Sequence, residues 1–336
     1  MKQESFQALH GAEWDALERW LDVRLQPRAR DRLLDASGVM ADIEFPAAYR
    51  RVCQQLALAE RRAYSTLLIE RLRELVHRGH LVLYRPRPPA ARAILEFFGA
   101  TFPRLVRRHW RSMAVAAALF FVPLFALIGT LQLRPELAHA VLGPEQLAEV
   151  EEMYDPAEHE DRLGRDEQTD LMMFGFYVWN NVSIGFRTFA SGLLVGIGPV
   201  VTLATNGMFI GTVAGHLTAI GYGGPFWRFV ATHSAPELLA IAIAGGAGLQ
   251  LGMAVLAPGR RSRGRALVEA GRDGAKLALG VFGMLVLAAF IEAFWSSKAA
   301  LPDLVRFPVA ALLWIGILAW LALGGRNLPP DSDLER

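Results

Sequence analysis

Residues Ser112–Leu133, SMAVAAALFFVPLFALIGTLQL, run for 22 residues without a charged side chain. At about 1.5 Å of rise per residue they make a helix about 33 Å long, enough to cross a hydrocarbon core of roughly 30 Å. Arg104, Arg107, Arg108 and Arg111 precede the stretch, and an acidic segment follows it. Residues 1–111 hold 20 Lys and Arg against 13 Asp and Glu, whereas residues 133–172 hold 3 against 12. Lys and Arg gather on the cytoplasmic side of spans, so this reading places the N-terminus in the cytoplasm and the acidic loop outside.

Working outward, the next charge-free run is Thr188–Trp227, 40 residues and about 60 Å as one helix, roughly twice the bilayer core. Pro199 and Asn206-Gly207 fall inside it, and both are breakers, so the run reads as two short crossings or a re-entrant hairpin, with one long kinked span plus an interfacial piece as the alternative. Phe229–Gly259 carries only Glu237, Leu277–Ser297 only Glu292, and Phe307–Gly325 no charge. Two crossings by 188–227 put the basic cluster Arg260, Arg261, Arg263 and Arg265 on the same side as the N-terminus, which the charge rule requires. The expected fold class is therefore all-α: a polytopic α-helical membrane protein of five to six spans, one of them a candidate re-entrant hairpin, with an N-terminal cytoplasmic helical domain. The expected boundaries are a cytoplasmic domain at 1–105, a first transmembrane helix at 106–134, an acidic extracytoplasmic loop at 135–172, a membrane bundle at 173–326 and a cytoplasmic tail at 327–336. Within the bundle we expect an interfacial helix at 174–187 and spans near 188–205, 207–227, 229–257, 277–297 and 307–325.

Composition excludes several classes. Of 336 residues 53% are hydrophobic, mean hydropathy is +0.26, and the excess lies after residue 111. A soluble single-domain enzyme, a disordered chain and a disulfide scaffold do not look like this. Cys53 is the one cysteine, so neither an intrachain disulfide nor a thiolate metal site is expected. No apolar segment precedes residue 112, and no cleavable signal peptide is expected.

In the N-terminal region, 11–36 and 45–80 read as helical. Trp14, Leu17, Trp20, Leu21, Val23 and Leu25 recur at roughly helical spacing, as do Leu56, Leu58, Leu67, Leu68, Leu72, Leu75 and Val76. Arg50, Arg51, Arg61, Arg62, Arg71 and Arg73 read as a solvated face, with binding of anionic lipid or an acidic partner as the alternative. Interspersed acids and the lack of a recognition motif argue against nucleic acid.

The informative polar cluster is His233-Ser-Ala-Pro-Glu237. Ser234 and Glu237 have capping-box spacing and Pro236 suits a first helical turn, so the segment can simply start a helix. The competing reading puts His233 and Glu237, i and i+4, on one face near the membrane as an ion or proton site, or as a partner-binding site. A metal centre needs a third ligand and no His-Glu-x-x-His pattern supplies one, so neither a metal nor a cofactor is expected. Phe174–Phe189 is aromatic and carries Asn180, Asn181 and Arg187; it reads as an amphipathic helix at the outer surface, with a pore-lining segment as the alternative. Gly192/Gly196, Gly207/Gly211/Gly215 and Gly248/Gly252 have the spacing of close helix contacts, which suits a tight bundle or a homo-oligomer. Asn206 and Gly207 in mid-membrane mark a broken helix. The acids Glu149, Glu151, Glu152, Asp155, Glu158, Glu160 and Asp161 lack calcium-loop spacing and read as a solvated linker. With no Gly-x-Ser-x-Gly, P-loop or Gly-x-Gly-x-x-Gly site, no catalytic residue is expected.

From Phe174 to about Ser297 the chain resembles the stage II sporulation protein M family of integral membrane proteins. The resemblance rests on Phe174-Gly-x-Tyr177 with Asn180-Asn181, Phe189-x-x-Gly192 with Gly196-Ile-Gly198, Asn206-Gly207 with Gly211, His233-x-x-x-Glu237-Leu with Ala240-Ile241, Gly245-Gly-Ala-Gly248, Pro258-Gly259 and Ile291-Glu292-Ala-Phe294. Phe45-Pro-x-x-Tyr49-Arg and His80-x-x-x-Tyr84 look like the longer branch of the family in bacteria that do not sporulate. The resemblance implies a multi-pass protein of the bacterial cytoplasmic (inner) membrane, for which the charge rule places both termini in the cytoplasm. It also implies a non-catalytic scaffold that organises an envelope or peptidoglycan-remodelling complex, with membrane or envelope proteins, the lipid bilayer and a second copy of the chain as partners. A transporter or channel component, with its site around the broken 188–227 segment, His233 and Glu237, is the alternative. Asn180, Asn181, Arg187, Asn206, Gly207, His233, Glu237 and Glu292 are the candidate functional or partner-binding residues.

Overall fold

The computed structural model describes residues 2–25, 42–84, 89–159, 167–298 and 301–327. They are helical, with no strand among them. The chain divides into two compact units, Met1–Pro89 and Ala90–Arg336.

The first unit has α1 (Gln3–Leu25), α2 (Phe45–Arg61) and α3 (Thr66–Leu83). The expected helical stretch 45–80 is thus two helices, turned at Ala63 with φ 52°; residues 26–36 lie outside the described residues. Phe6, Trp14, Leu17, Trp20, Leu21, Phe45, Val52, Ala59, Leu68, Leu72 and Leu75 form one buried core. The periodicity predicts most of this inner face, but Leu67 points outward. The buried Trp14 indole donates to Gln55 Oε1 at 2.7 Å, which removes the cost of an unpaired N–H in the core. Several of the arginines are partnered: Arg51 with Glu13, Arg71 with Asp15 at 2.5 Å and Glu18 at 2.9 Å, and Arg78 with Asp22. These pairs tie α1 to α2 and α3, and Glu18 followed by Asp15 holds the Arg71 guanidinium above its usual range. α3 runs through Gly79 to Leu83, and an added Cβ at Gly79 would lie 2.6 Å from the Tyr49 ring.

The second unit is a multi-pass membrane bundle. After α4 (Ala90–Glu96), a π turn (Phe97–Thr101) and α5 (Phe102–Arg108), the chain forms α6 (Trp110–Leu133). A 3₁₀ turn (Pro135–Ala140), α7 (Pro144–Met153) and α8 (Pro156–His159) lead to α9 (Glu167–Ala190). Then come α10 (Ile197–Ala219), α11 (Gly223–Val230), α12 (Ser234–Leu256), α13 (Arg263–Ile291) with a closing π turn (Glu292–Ser296), and α14 (Asp303–Leu323). Among the described residues five helices are long and apolar enough to cross a membrane: α6, α10, α12, the continuous Arg263–Ser296 and α14.

α9 is more polar than these helices and packs alongside them. Near one end Asp170 pairs with Lys298 at 2.7 Å, beyond the C-terminal turn of α13. Just past the other end, an added Cβ at Gly192 would lie 2.2 Å from the Gly248 carbonyl oxygen, in the C-terminal half of α12. Between them α9 packs along α12 and α13, and at 24 residues it is about 36 Å long. The expected interfacial helix at 174–187 is therefore replaced by a helix traversing the bundle.

The split of 188–227 into spans at 188–205 and 207–227 is also corrected. α10 runs unbroken through Asn206 and Gly207. Asn206 Nδ2 donates to the Thr202 carbonyl at 2.7 Å, so its amide is satisfied along its own helix. Gly207 breaks nothing because it lies against α6, where an added Cβ would meet the Phe120 carbonyl oxygen at 2.2 Å. Pro199 is the third residue of α10, where proline costs no helical hydrogen bond. The reversal comes earlier, in the 3₁₀ turn Ser191–Leu193 and the left-handed Val195 (φ 57°) and Gly196 (φ 81°). Five of the expected five to six spans are thus present among the described residues, and α9 returns the chain between the two ends of the bundle where a 188–205 crossing was expected.

The remaining boundaries shift modestly. The expected 229–257 span is Ser234–Leu256, 307–325 is Asp303–Leu323, and 277–297 begins much earlier, at Arg263. The glycine pairs are absorbed within the chain: Gly192 and Gly196 lie against Gly248 and Gly252, and Gly207, Gly211 and Gly215 against α6.

The two ends of the bundle differ in charge. At the basic end Arg104 donates to the Gly325 carbonyl, and Arg107 to those of Leu321 and Gly324, at 2.5–2.9 Å. These cations cap the C-terminus of α14, where the free carbonyls and the helix dipole favour them. At the acidic end, residues 135–157 fold onto the bundle. Leu131, Ala138, Leu142 and Leu147 pack with Val213, Leu217 and Phe226, and His216 Nε2 lies 2.6 Å from Glu151 Oε1. The solvated-linker reading is corrected here, because α7 buries one apolar face while Glu145, Glu149 and Glu152 point outward; residues 160–166 lie outside the described residues.

Candidate functional site

α12 begins at the acidic end with His233 as its N-cap residue, in helical backbone and without a side-chain cap hydrogen bond. The capping-box reading of Ser234 and Glu237 does not hold. Ser234 is already inside the helix; its hydroxyl donates to the Ala231 carbonyl at 2.8 Å and accepts from Trp314 Nε1 at 3.1 Å. Pro236 does sit in the first turn, and Glu237 follows it one turn above His233.

The third member comes from the far end of α13. Glu292 opens the π turn Glu292–Ser296, a wider turn of the kind that recurs at functional sites. The ligating atoms of His233, Glu237 and Glu292 all lie within 4.8 Å of one another, and His233 Nε2 is 3.8 Å from Glu237 Oε2. His233 is 4% exposed and Glu292 8%; the Glu237 side chain retains 20%. The same π turn orients the imidazole. Ser296 Oγ is 3.0 Å from His233 Nδ1 and 2.8 Å from Thr232 Oγ1, so Nε2 is the ring nitrogen left on the carboxylate side. Phe229 packs edge-on against the ring at 5.3 Å.

Two carboxylates and an imidazole this close, one turn inside a membrane bundle, cannot all be held as bare ions without a large desolvation and repulsion cost. A shared proton or a bound cation removes it. The sequence reading found His233 and Glu237 but no third ligand; Glu292 was a candidate whose place beside them only the packing of α13 on α12 discloses.

The other candidates do not join this group. Asn181 is buried in α9 and its Nδ2 has no partner, while the exposed Asn180 donates to Asn181 Oδ1 at 3.1 Å. Arg187 is exposed on α9 near the basic end, where its long side chain can reach the interface. Asn206 and Gly207 serve the α10 helix and its seam with α6. Sequence reasoning missed Ser296, Asp170 and Arg306. Arg306, 1% exposed, donates to the carbonyls of Arg228 at 2.9 Å, Ser296 at 3.0 Å, Lys298 at 2.7 Å and Leu301 at 3.4 Å. Its signal was an arginine at the flank of the last apolar run, indistinguishable by sequence from an ordinary interfacial cation.

Two families match the chain. The one described as Stage II sporulation protein M matches residues 112–297, and the one described as Domain of unknown function (DUF8413) matches residues 4–85. No curated protein and no solved structure matches.

Proposed function

The chain belongs to the stage II sporulation protein M family, and from that membership we propose that it is a non-catalytic scaffold of the bacterial inner membrane, organising an envelope or peptidoglycan-remodelling complex. The observation that carries the reading is the folded acidic cap. Residues 135–157 are seated on α10 and α11 through a shared apolar cluster. They present Glu145, Glu149 and Glu152 outward from a bundle whose helices meet at backbone contact along glycine seams. A fixed frame displaying a charged, structured surface suits docking, since a preorganised surface loses little entropy on binding.

The charge rule orients this frame with the basic end in the cytoplasm, together with both termini. Three of the cations at the acidic end fit, because Lys298 is paired with Asp170, Arg228 with Asp303, and Arg306 is buried among carbonyls. In a Cys53→Ser background, cysteine at Glu152 is expected to react with an impermeant maleimide on intact cells, and cysteine at Leu194 or Gly264 only after permeabilisation. Labelling of position 194 from outside would show that α9 lies on the surface instead of crossing.

Crosslinking in cells followed by co-purification tests the scaffold. The intact chain is expected to retain envelope proteins that the Glu145→Ala, Glu149→Ala, Glu152→Ala variant loses while reaching the membrane at an equal level. An identical set of partners in both, or none in either, removes the reading.

A further inference from the structure

We propose that His233, Glu237 and Glu292 form a binding site for one divalent transition-metal ion of the Zn²⁺ class at the acidic end of the bundle, a property the scaffold reading does not require.

Charge is the first consideration. Two carboxylates and a neutral imidazole balance a divalent cation to zero net charge, which makes the loaded site cheap in a low-dielectric surrounding where the carboxylate pair alone is costly. A monovalent ion would leave one negative charge buried.

Geometry is the second. Donors bound at about 2.0–2.2 Å in a tetrahedral set stand roughly 3.3–3.6 Å from one another. His233 Nε2 and Glu237 Oε2 are 3.8 Å apart, and all three donors fall within 4.8 Å. Side-chain adjustments, without backbone movement, close that gap.

The third is the outer arrangement. Metal-bound histidines hold their second ring nitrogen in a hydrogen bond that fixes the tautomer and aims the first. Here Ser296 occupies that place at 3.0 Å from Nδ1, itself held by Thr232 at 2.8 Å. A mixed imidazole and carboxylate set selects a transition metal over calcium or magnesium, which take oxygen ligands. Three protein ligands leave a fourth position for water, and Glu237 is the partly exposed member through which it connects to the acidic end. The ion would staple the start of α12 to the π turn that closes α13.

The test uses the full chain in detergent, stripped with a chelator, desalted, loaded with Zn²⁺ alone and analysed for retained metal. About one equivalent per chain is expected in the wild type. Glu292→Gln and His233→Gln should retain none, and Ser296→Ala should bind about 10- to 100-fold more weakly, the usual consequence of losing an outer partner. X-ray absorption at the zinc edge of the wild type, which depends on no variant, should show only nitrogen and oxygen donors at about 2.0–2.2 Å with an imidazole contribution. No retained Zn²⁺ in the wild type, a sulfur donor at the edge, or equal retention by a well-folded Glu292→Gln overturns the proposal.

Discussion

Gly207→Val is expected to remove most folded protein from the membrane fraction, whereas Gly129→Val leaves it close to the wild-type level. Both glycines lie inside apolar helices. An added Cβ at Gly207 would stand 2.2 Å from the Phe120 carbonyl oxygen and 3.1 Å from the Pro123 ring, while nothing lies within 4 Å of one at Gly129. The first obstacle is α6 backbone, which cannot rotate away as a side chain can, so α6 and α10 must separate. Separation also disturbs Gly211 and Gly215, where an added Cβ would stand 2.6 Å from the Leu124 carbonyl oxygen and 3.1 Å from Ile128 Cα, because one rigid helix carries all three. Overpacking of an ordinary core costs about 1–3 kcal/mol; forcing a whole seam apart exceeds that and consumes much of a typical stability of roughly 5–15 kcal/mol. In lipid no hydrophobic gain compensates, since helix association there depends on close packing. Size-exclusion profiles of the two variants after detergent extraction read the difference. Equal monodisperse yields would mean that the seam is not what holds α6 to α10.

The same glycines show where sequence reasoning reached and where it stopped. Charge-free runs and the placement of arginines were enough to establish an all-helical, multi-pass membrane protein, because both follow from desolvation, which acts on each residue almost independently. Which segment returns the chain from α6 to α10 depends instead on what a side chain faces. Asn180 and Asn181 lower the hydropathy of α9 as if both met lipid, yet Asn181 is buried inside the bundle and Asn180 bonds to it. Asn206-Gly207 looked like a break because glycine and asparagine favour turns in isolation. In the fold one satisfies its amide on its own helix and the other admits a neighbouring backbone. In the N-terminal unit, where water is the solvent, helical periodicity placed Trp14, Leu17, Leu72 and Leu75 in the core, but the turn at Ala63 carried no glycine or proline to betray it. The candidate site divides along the same line. The i, i+4 spacing of His233 and Glu237 is local and therefore legible, whereas Glu292 and Ser296 reach the site only through the packing of α13.

Arg306→Met should destabilise the protein by several times the ~1–3 kcal/mol of one unsatisfied buried acceptor, and lower its melting temperature in detergent far more than Arg228→Ala. The contrast separates two arginines at the same end of the bundle. Arg228 pairs with Asp303 at 2.9 Å with both side chains 44% exposed, and such pairs contribute about 0–1 kcal/mol. Arg306 is buried, and its guanidinium is the donor that satisfies carbonyls of Arg228, Ser296, Lys298 and Leu301, contributed by the end of α11, the π turn and the connection into α14. Methionine fills similar volume but leaves those carbonyls without this donor, each unsatisfied acceptor costing about 1–3 kcal/mol where water cannot replace it. Arg306→Lys should fall between the two, since a compact ammonium cannot span the set that a planar fork reaches. One of the carbonyls belongs to Ser296, whose hydroxyl orients His233. Loss of Arg306 should therefore loosen the imidazole as well as the bundle, and Zn²⁺ retention should drop in the Met variant even below its melting temperature. A melting temperature for Arg306→Met equal to that of Arg228→Ala would mean that the carbonyls find other donors and that the guanidinium is dispensable to the acidic end.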